Sequence, residues 1–187
     1  AFFISFITII GLMVGSFLNV VIYRLPVMMK RSWLQQCAEL RDEPIAELPV
    51  FNLITPRSAC TQCGHKLSAL ENIPVISYLF LRGRCSQCQT RISLCYPLVE
   101  TVTALMSGFV AWHFGFGWLT VATLFFVWAL IALAVIDLNT QLLPDDITLP
   151  LLWAGLLVNM NNGFTDIHSA IIGAVAGYLS LWCIYWC

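Results

Sequence analysis

Five apolar stretches run along the chain, and one polar block separates the first from the other four. Ala1 to Tyr23 carries no charged side chain. It is long enough to cross a bilayer, which takes about 20 helical residues. It has neither the basic leading segment nor the small-residue cleavage site of a signal peptide, so a permanent span is expected. Arg24-Leu25-Pro26 is expected to stop this helix, because proline lacks the amide hydrogen that a helix interior needs. The polar block follows, from Arg24 to Ser93. Within it, Met28 to Arg41 predicts a short amphipathic helix. Pro44, Pro49 and Pro56 then break the chain into extended pieces. Tyr96–Gly115 and Trp118–Ile136 are the next two apolar stretches. The short Gly115-Phe116-Gly117 turn predicts that they are antiparallel neighbours. Ile147–Met160 is shorter and contains Pro150, so it is read as spanning or re-entrant. Asn159 to Thr165 predicts a polar turn, and Ile167–Cys187 is the fifth stretch.

Composition agrees with a membrane protein. Hydrophobic residues make up 59% of the 187 and charged residues 10%, whereas a soluble domain carries about 25% charged residues. The net charge of −1 conceals a segregation: all nine Lys and Arg lie between Arg24 and Arg91. Short loops rich in Lys and Arg stay in the cytoplasm, so the block is expected there and the N-terminus outside. Counting crossings, Asp137 emerges on the cytoplasmic side. If Ile147–Met160 spans, Asp166 lies outside and the last helix ends inside again. The chain opens on Ala1-Phe2-Phe3 and closes at Cys187 within an apolar run, and both ends are expected to be cut.

Four of the eight cysteines fall in two C-x-x-C pairs, Cys60/Cys63 and Cys85/Cys88. Two intervening residues let a tight turn bring both thiolates to one ion, and four thiolates close a tetrahedron. That is the arrangement of structural zinc, with no open position for catalysis. Gly64 relieves the first turn. The alternatives are iron, two redox pairs, or reduced cysteines without a ligand. Zinc would order a polar block that has little apolar core of its own. Cys37, Cys95, Cys183 and Cys187 are read as ordinary apolar residues and His65 as a bystander. The expected fold is thus an all-α polytopic membrane protein of about five transmembrane helices with a small cytoplasmic zinc-knuckle domain. Its divisions are residues 1–23 (first span), 24–95 (cytoplasmic block) and 96–187 (transmembrane core).

Asp137 directly follows a charge-free apolar stretch. A carboxylate there is costly and points to function, although a headgroup-exposed helix end is the plainer reading. Asp145 and Asp146 suit the start of the next helix, where acidic groups meet the positive end of the dipole. Glu100 is read the same way. Asn19 and Arg24 are candidates for a polar cleft, with snorkelling of Arg24 as the alternative. Gly11, Gly15 and Ser16 form a small-residue face for helix packing.

These residues together resemble a known family. Gly15-Ser16-Phe17-Leu18-Asn19 through Arg24-Leu25-Pro26, the paired C-x-x-C motifs, Tyr96-Pro97-Leu98-Val99-Glu100, and Asp137 through Trp153 look like the bacterial type IV prepilin leader peptidase/N-methyltransferases. The resemblance implies a multi-pass enzyme of the bacterial inner membrane. Such an enzyme cuts leaders from type IV prepilins and type II secretion pseudopilins and then methylates the new N-terminus with S-adenosylmethionine. No nucleic-acid partner is expected. By the same resemblance Asp137 is one catalytic carboxylate, the other belonging to a G-x-G-D motif, and Gly83 is associated with methyl transfer and cofactor binding. No G-x-G-D occurs here; Gly163-Phe164-Thr165-Asp166 lacks the second glycine. One carboxylate alone should not suffice, so these 187 residues are expected to lack peptidase activity. A non-catalytic zinc-knuckle membrane adaptor, or a decayed gene product, is the alternative.

Overall fold

The computed structural model describes residues 1–42, 49–60, 62–68, 70–161 and 163–186. The break at Pro44 and the role of Cys187 fall outside them. The described residues form six helices: α1 (Phe2–Leu40), α2 (Ile76–Phe80), α3 (Cys95–Phe114), α4 (Trp118–Thr140), α5 (Asp145–Met160) and α6 (Ile167–Trp186). Among the described residues there is no strand, only two isolated bridges. The chain divides into two compact units, Ala1–Leu143 and Pro144–Cys187.

In the first unit, α1, α3 and α4 form a bundle. Contacts between α1 and α3 run in opposite order along the two helices: a Cβ on Gly108 would meet Thr8, one on Gly11 would meet Ser107, and one on Gly15 would meet Glu100 and Thr103. The helices are therefore antiparallel. Glycine is what lets them approach so closely, since a Cβ at Gly15 would sit 2.7 Å from the Glu100 Cα. α4 closes the bundle. Its Trp128 Nε1 donates to Ser107 Oγ at 2.9 Å, and Ser107 donates in turn to the Thr103 carbonyl at 2.7 Å. At the opposite end, Leu18, Ile22, Val99, Ala132 and Ile136 form the apolar core. Asn19, Glu100 and Asp137, each adjacent to a core residue, thus share one end of the bundle.

The first helix does not stop at Pro26. It continues for 39 residues to Leu40 and absorbs the amphipathic segment expected separately. Proline in a helix interior costs about 3 kcal/mol or more. Tertiary contacts on both sides offset it here: Ile22 and Leu25 pack in or against the core, and Arg24 is bonded to a loop described below. At 1.5 Å per residue this helix is about 58 Å long, nearly twice the hydrocarbon thickness of about 30 Å, so it extends well beyond the bilayer.

Among the described residues, three helices are long and apolar enough to cross a membrane: α1, α4 and α6, with mean hydropathy 2.2, 2.6 and 1.7 over their best windows. α3 and α5 match the two other apolar stretches of the sequence. α5 has only 16 residues, and α3 carries Glu100, Thr101, Thr103 and Ser107 on its length. Large apolar side chains such as Ile9, Met13, Phe125 and Ile172 face outward, as lipid contact requires.

In the second unit, Asp145 and Asp146 occupy the first turn of α5 after Pro144. Asn159 Oδ1 accepts from the amides of Phe164 and Thr165, both at 3.1 Å, shaping the expected polar turn. Asp166 Oδ2 accepts from Ser169 N at 2.9 Å. The Asp of the near-miss G-x-x-D segment is therefore a helix cap.

Gly15→Val should lower stability by about 1–3 kcal/mol through overpacking, read as a lower melting temperature in detergent. Gly173→Val, with open space around its Cβ, should leave it nearly unchanged. Equal effects would mean that the close α1–α3 approach is not what Gly15 supports.

Candidate functional site

The two C-x-x-C segments fold alike. Cys60 N donates to the His65 carbonyl at 2.8 Å and Gly64 N to the Cys60 carbonyl at 3.0 Å; Cys85 N to Thr90 and Gln89 N to Cys85 repeat this at 2.9 and 3.1 Å. Each turn needs its fifth residue in the left-handed region, filled by Gly64 (φ +71) and by Gln89 (φ 57). The pair of turns brings all four sulfurs within 4.8 Å of one another. Cys60–Cys88 and Cys63–Cys85 are separated by 3.7 and 3.9 Å. These are far beyond a disulfide of about 2.05 Å. They match the edge of a tetrahedron with ligands about 2.3 Å from its centre, which is about 3.8 Å. The four thiols could hold one tetrahedral metal ion.

Their electrostatics point the same way. The Thr90 hydroxyl and amide draw Cys88 down to about 6. The His65 amide favours the Cys63 thiolate, but burial and the other sulfurs outweigh it and push Cys63 up to about 11. Four thiols packed this closely cannot all ionise unaided; a divalent cation allows it.

Glu71 ties the two turns together. Its carboxylate accepts from Ser86 Oγ at 2.5 Å, from Ser68 N at 2.8 Å, and lies 3.4 Å from His65 Nε2. His65 is thus part of the support for the knuckle. The Ser86 hydroxyl, then Ser68, hold the Glu71 carboxyl down at about 2.

Between the knuckles and the bundle lies a cavity of about 630 Å³. α1 lines it with Asn19 and Arg24, α3 with Tyr96 and Glu100, α2 with Tyr78, and a loop with Phe51. Arg24 is 7% exposed. It does not snorkel. Its guanidinium donates to the Asn52 carbonyl at 2.9 Å and the Pro56 carbonyl at 2.6 Å. Asn19 Nδ2 donates to the Tyr96 carbonyl at 3.1 Å. Both residues therefore line a polar cleft, one of the two readings open from sequence.

Glu100 was the least legible. It is the sixth residue of α3, past the first turn, and is 8% exposed. A dipole partner would sit nearer the helix start and in water. Instead, Glu100 Oε2 accepts from Val75 N at 2.7 Å. Val75 is β-branched with φ 57, a conformation such residues avoid. No sequence signal marks that bond.

Asp137 lies in the last turn of α4, one turn before its end, and is exposed. Its carboxylate makes no side-chain hydrogen bond or ion pair among the described residues. Gly83 has φ +67, and a Cβ there would lie 2.6 Å from the Tyr78 hydroxyl. Gly83 does not line the cavity; Tyr78 does. The geometry gives Gly83 a positioning effect on that ring.

Cys60→Ser should release bound metal, read with a chromophoric chelator. Gly64→Val should weaken binding about tenfold or more through strain, whereas Gln89→Gly should preserve or tighten it. Similar losses in both turn variants would refute the left-handed requirement. The carboxyl of Glu71 also sets a pH signature. Its folded value of about 2 lies below the usual 4.5, so its support is complete above the usual value and is lost as pH falls toward about 2. In metal-free protein, the deficit of Glu71→Gln in unfolding midpoint should be widest above about pH 5 and close toward pH 2. A pH-independent deficit would contradict this.

Comparison with known proteins agrees with these features. Residues 9–114 match the family described as Bacterial Peptidase A24 N-terminal domain, and residues 124–186 match the Type IV leader peptidase family. The chain is 51% identical over 179 residues to a curated protein of Stutzerimonas stutzeri, covering 95% of this chain and 62% of that one. It is 53% identical over 190 residues to one of Aeromonas hydrophila, covering 98% and 64%. For a relative from Neisseria gonorrhoeae the figures are 49% over 183 residues, 97% and 64%. Each is named prepilin leader peptidase/N-methyltransferase. The chain thus spans just under two thirds of these relatives. No solved structure matches it. The chain belongs to the family described as Bacterial Peptidase A24 N-terminal domain, which it matches over residues 9–114, and its residues 124–186 carry the match to the type IV leader peptidase family.

Proposed function

We propose that the protein cleaves leader peptides from type IV prepilins and type II secretion pseudopilins and N-methylates the new N-terminus, as a multi-pass enzyme of the bacterial inner membrane. The observation that carries this reading is identity near 50% across almost the whole chain to relatives named for both activities. Residues 24–95 form its cytoplasmic part, the N-terminus faces the periplasm, and residues 96–187 belong to the transmembrane core. The clustering of every Lys and Arg between Arg24 and Arg91 supports this orientation.

In this reading Asp137 is one of two carboxylates that share a proton and activate the attacking water. Its exposure leaves it open to a partner and to a peptide. The second carboxylate would come from a G-x-G-D segment, which residues 1–187 do not contain, so these residues alone are not expected to cleave. Cys60, Cys63, Cys85 and Cys88 hold zinc in a structural role, consistent with sulfur separations of 3.7 and 3.9 Å. S-adenosylmethionine, when bound, supplies an electrophilic methyl group. Gly83 assists that step by letting the Tyr78 ring lie against its backbone.

Asp137→Asn in the full-length protein should reduce leader cleavage to background while leaving zinc content and melting temperature unchanged. Undiminished processing of a prepilin would remove Asp137 from the catalytic pair.

A further inference from the structure

Glu100 is 8% exposed, yet no cation lies within 4 Å of it among the described residues. Its Oε2 accepts one backbone amide, and Ser16 and Asn19 are its other polar neighbours. An ionised carboxylate has about four acceptor positions. Burying one without a counter-charge costs several kcal/mol, so the position is suited to an incoming cation. It opens onto the cavity of about 630 Å³, within the range of about 300–1,000 Å³ that holds small molecules and cofactors. That cavity lies at the same end of the bundle as Asp137, because Val99 and Ile136, the neighbours of Glu100 and Asp137, share one core.

We propose that the cleft between the knuckles and the α1–α3 pair is the methyl-transfer site, and that Glu100 receives the free amino terminus of the cleaved chain within it. The proposal rests on the function proposed above and assigns its second step to a place. A new N-terminus is an ammonium group, and it forms at the same end of the bundle as Glu100. A buried carboxylate binds it, and the same carboxylate is the acceptor for the proton that must leave. The balance is complete. The nitrogen lone pair forms the N–C bond, the methyl group's bond to a sulfonium donor breaks with its pair remaining on sulfur, and one nitrogen proton passes to Glu100. Tyr78 and Tyr96 line the same cleft and offer aromatic surface to a cationic donor.

Glu100→Gln tests this, because the amide oxygen still accepts from Val75 N while the charge is gone. In full-length protein in detergent, leader cleavage should stay within about twofold of wild type. Methylation of a pre-cleaved peptide starting with free Phe should fall by about tenfold or more. The dissociation constant of that peptide should rise about tenfold, as expected for loss of one charged hydrogen bond. Its N-acetylated form should bind both proteins alike, and S-adenosylmethionine should bind both with equal affinity. Wild-type methylation by the variant overturns the proposal. So does a parallel loss of cleavage and methylation, which marks a structural role, or weaker S-adenosylmethionine binding with unchanged peptide binding, which moves Glu100 to the donor. Glu100→Asp serves as a second variant, expected to recover part of the methylation; no recovery alongside normal cleavage counts against the charge. A wild-type protein that neither cleaves nor methylates overturns the parent function instead.

Discussion

The contact of α1 with α3 is the constraint on which the rest of the first unit depends. Gly11 and Gly15 place one backbone almost against the other, and any side chain there would collide with Ser107 or with the Glu100 backbone. In a bilayer, apolar surface alone does not drive helices together, so close packing and interhelical hydrogen bonds must do it. The chain supplies both. Small residues set the distance, and Trp128 reaches from α4 to Ser107. Because Glu100 belongs to this contact by its backbone, the same packing that holds the bundle fixes where its carboxylate stands. α3 can carry that charge because α1 packs against it at Gly15 and the Val75 amide bonds its carboxylate.

Above the bundle, order comes from polar bonds rather than from a core. Arg24 fastens the loop at Asn52 and Pro56 to α1, Glu71 joins one cysteine turn to the other, and Glu100 fixes Val75 ahead of α2. Many apolar side chains in this region are exposed, among them Ile54, Leu70 and Phe80. A segment so poor in buried apolar area depends on cross-links, and one metal ion held by the four clustered thiols would provide one. The cleft is the space left where this cross-linked block meets the helices.

How much of this was legible in the sequence varied with the range of the interaction. The cysteine cluster could be read because a C-x-x-C turn is local and its spacing alone brings two sulfurs together. Helix positions could be read because apolar runs are contiguous. Pro26 misled because its local penalty is met by contacts at Ile22, Arg24 and Leu25 that no window of sequence contains. Glu100 misled for the same reason. Its partner amide is 25 residues earlier, and the helix packed against it at Gly15 is 85 residues earlier.

The sequence by itself determined the membrane character, the polar block, the four-cysteine cluster and the position of Asp137 at the end of an apolar helix. Each depends on residue type and short spacing. Only the tertiary structure decided that α1 runs on past Pro26, that Arg24 and Asn19 line a cleft instead of meeting lipid headgroups, that Gly83 lies under the Tyr78 ring, and that Glu100 is buried with no counter-charge among the described residues. Those outcomes depend on which distant backbones approach one another, and glycine at positions 11 and 15 sets that distance without announcing what it will enclose.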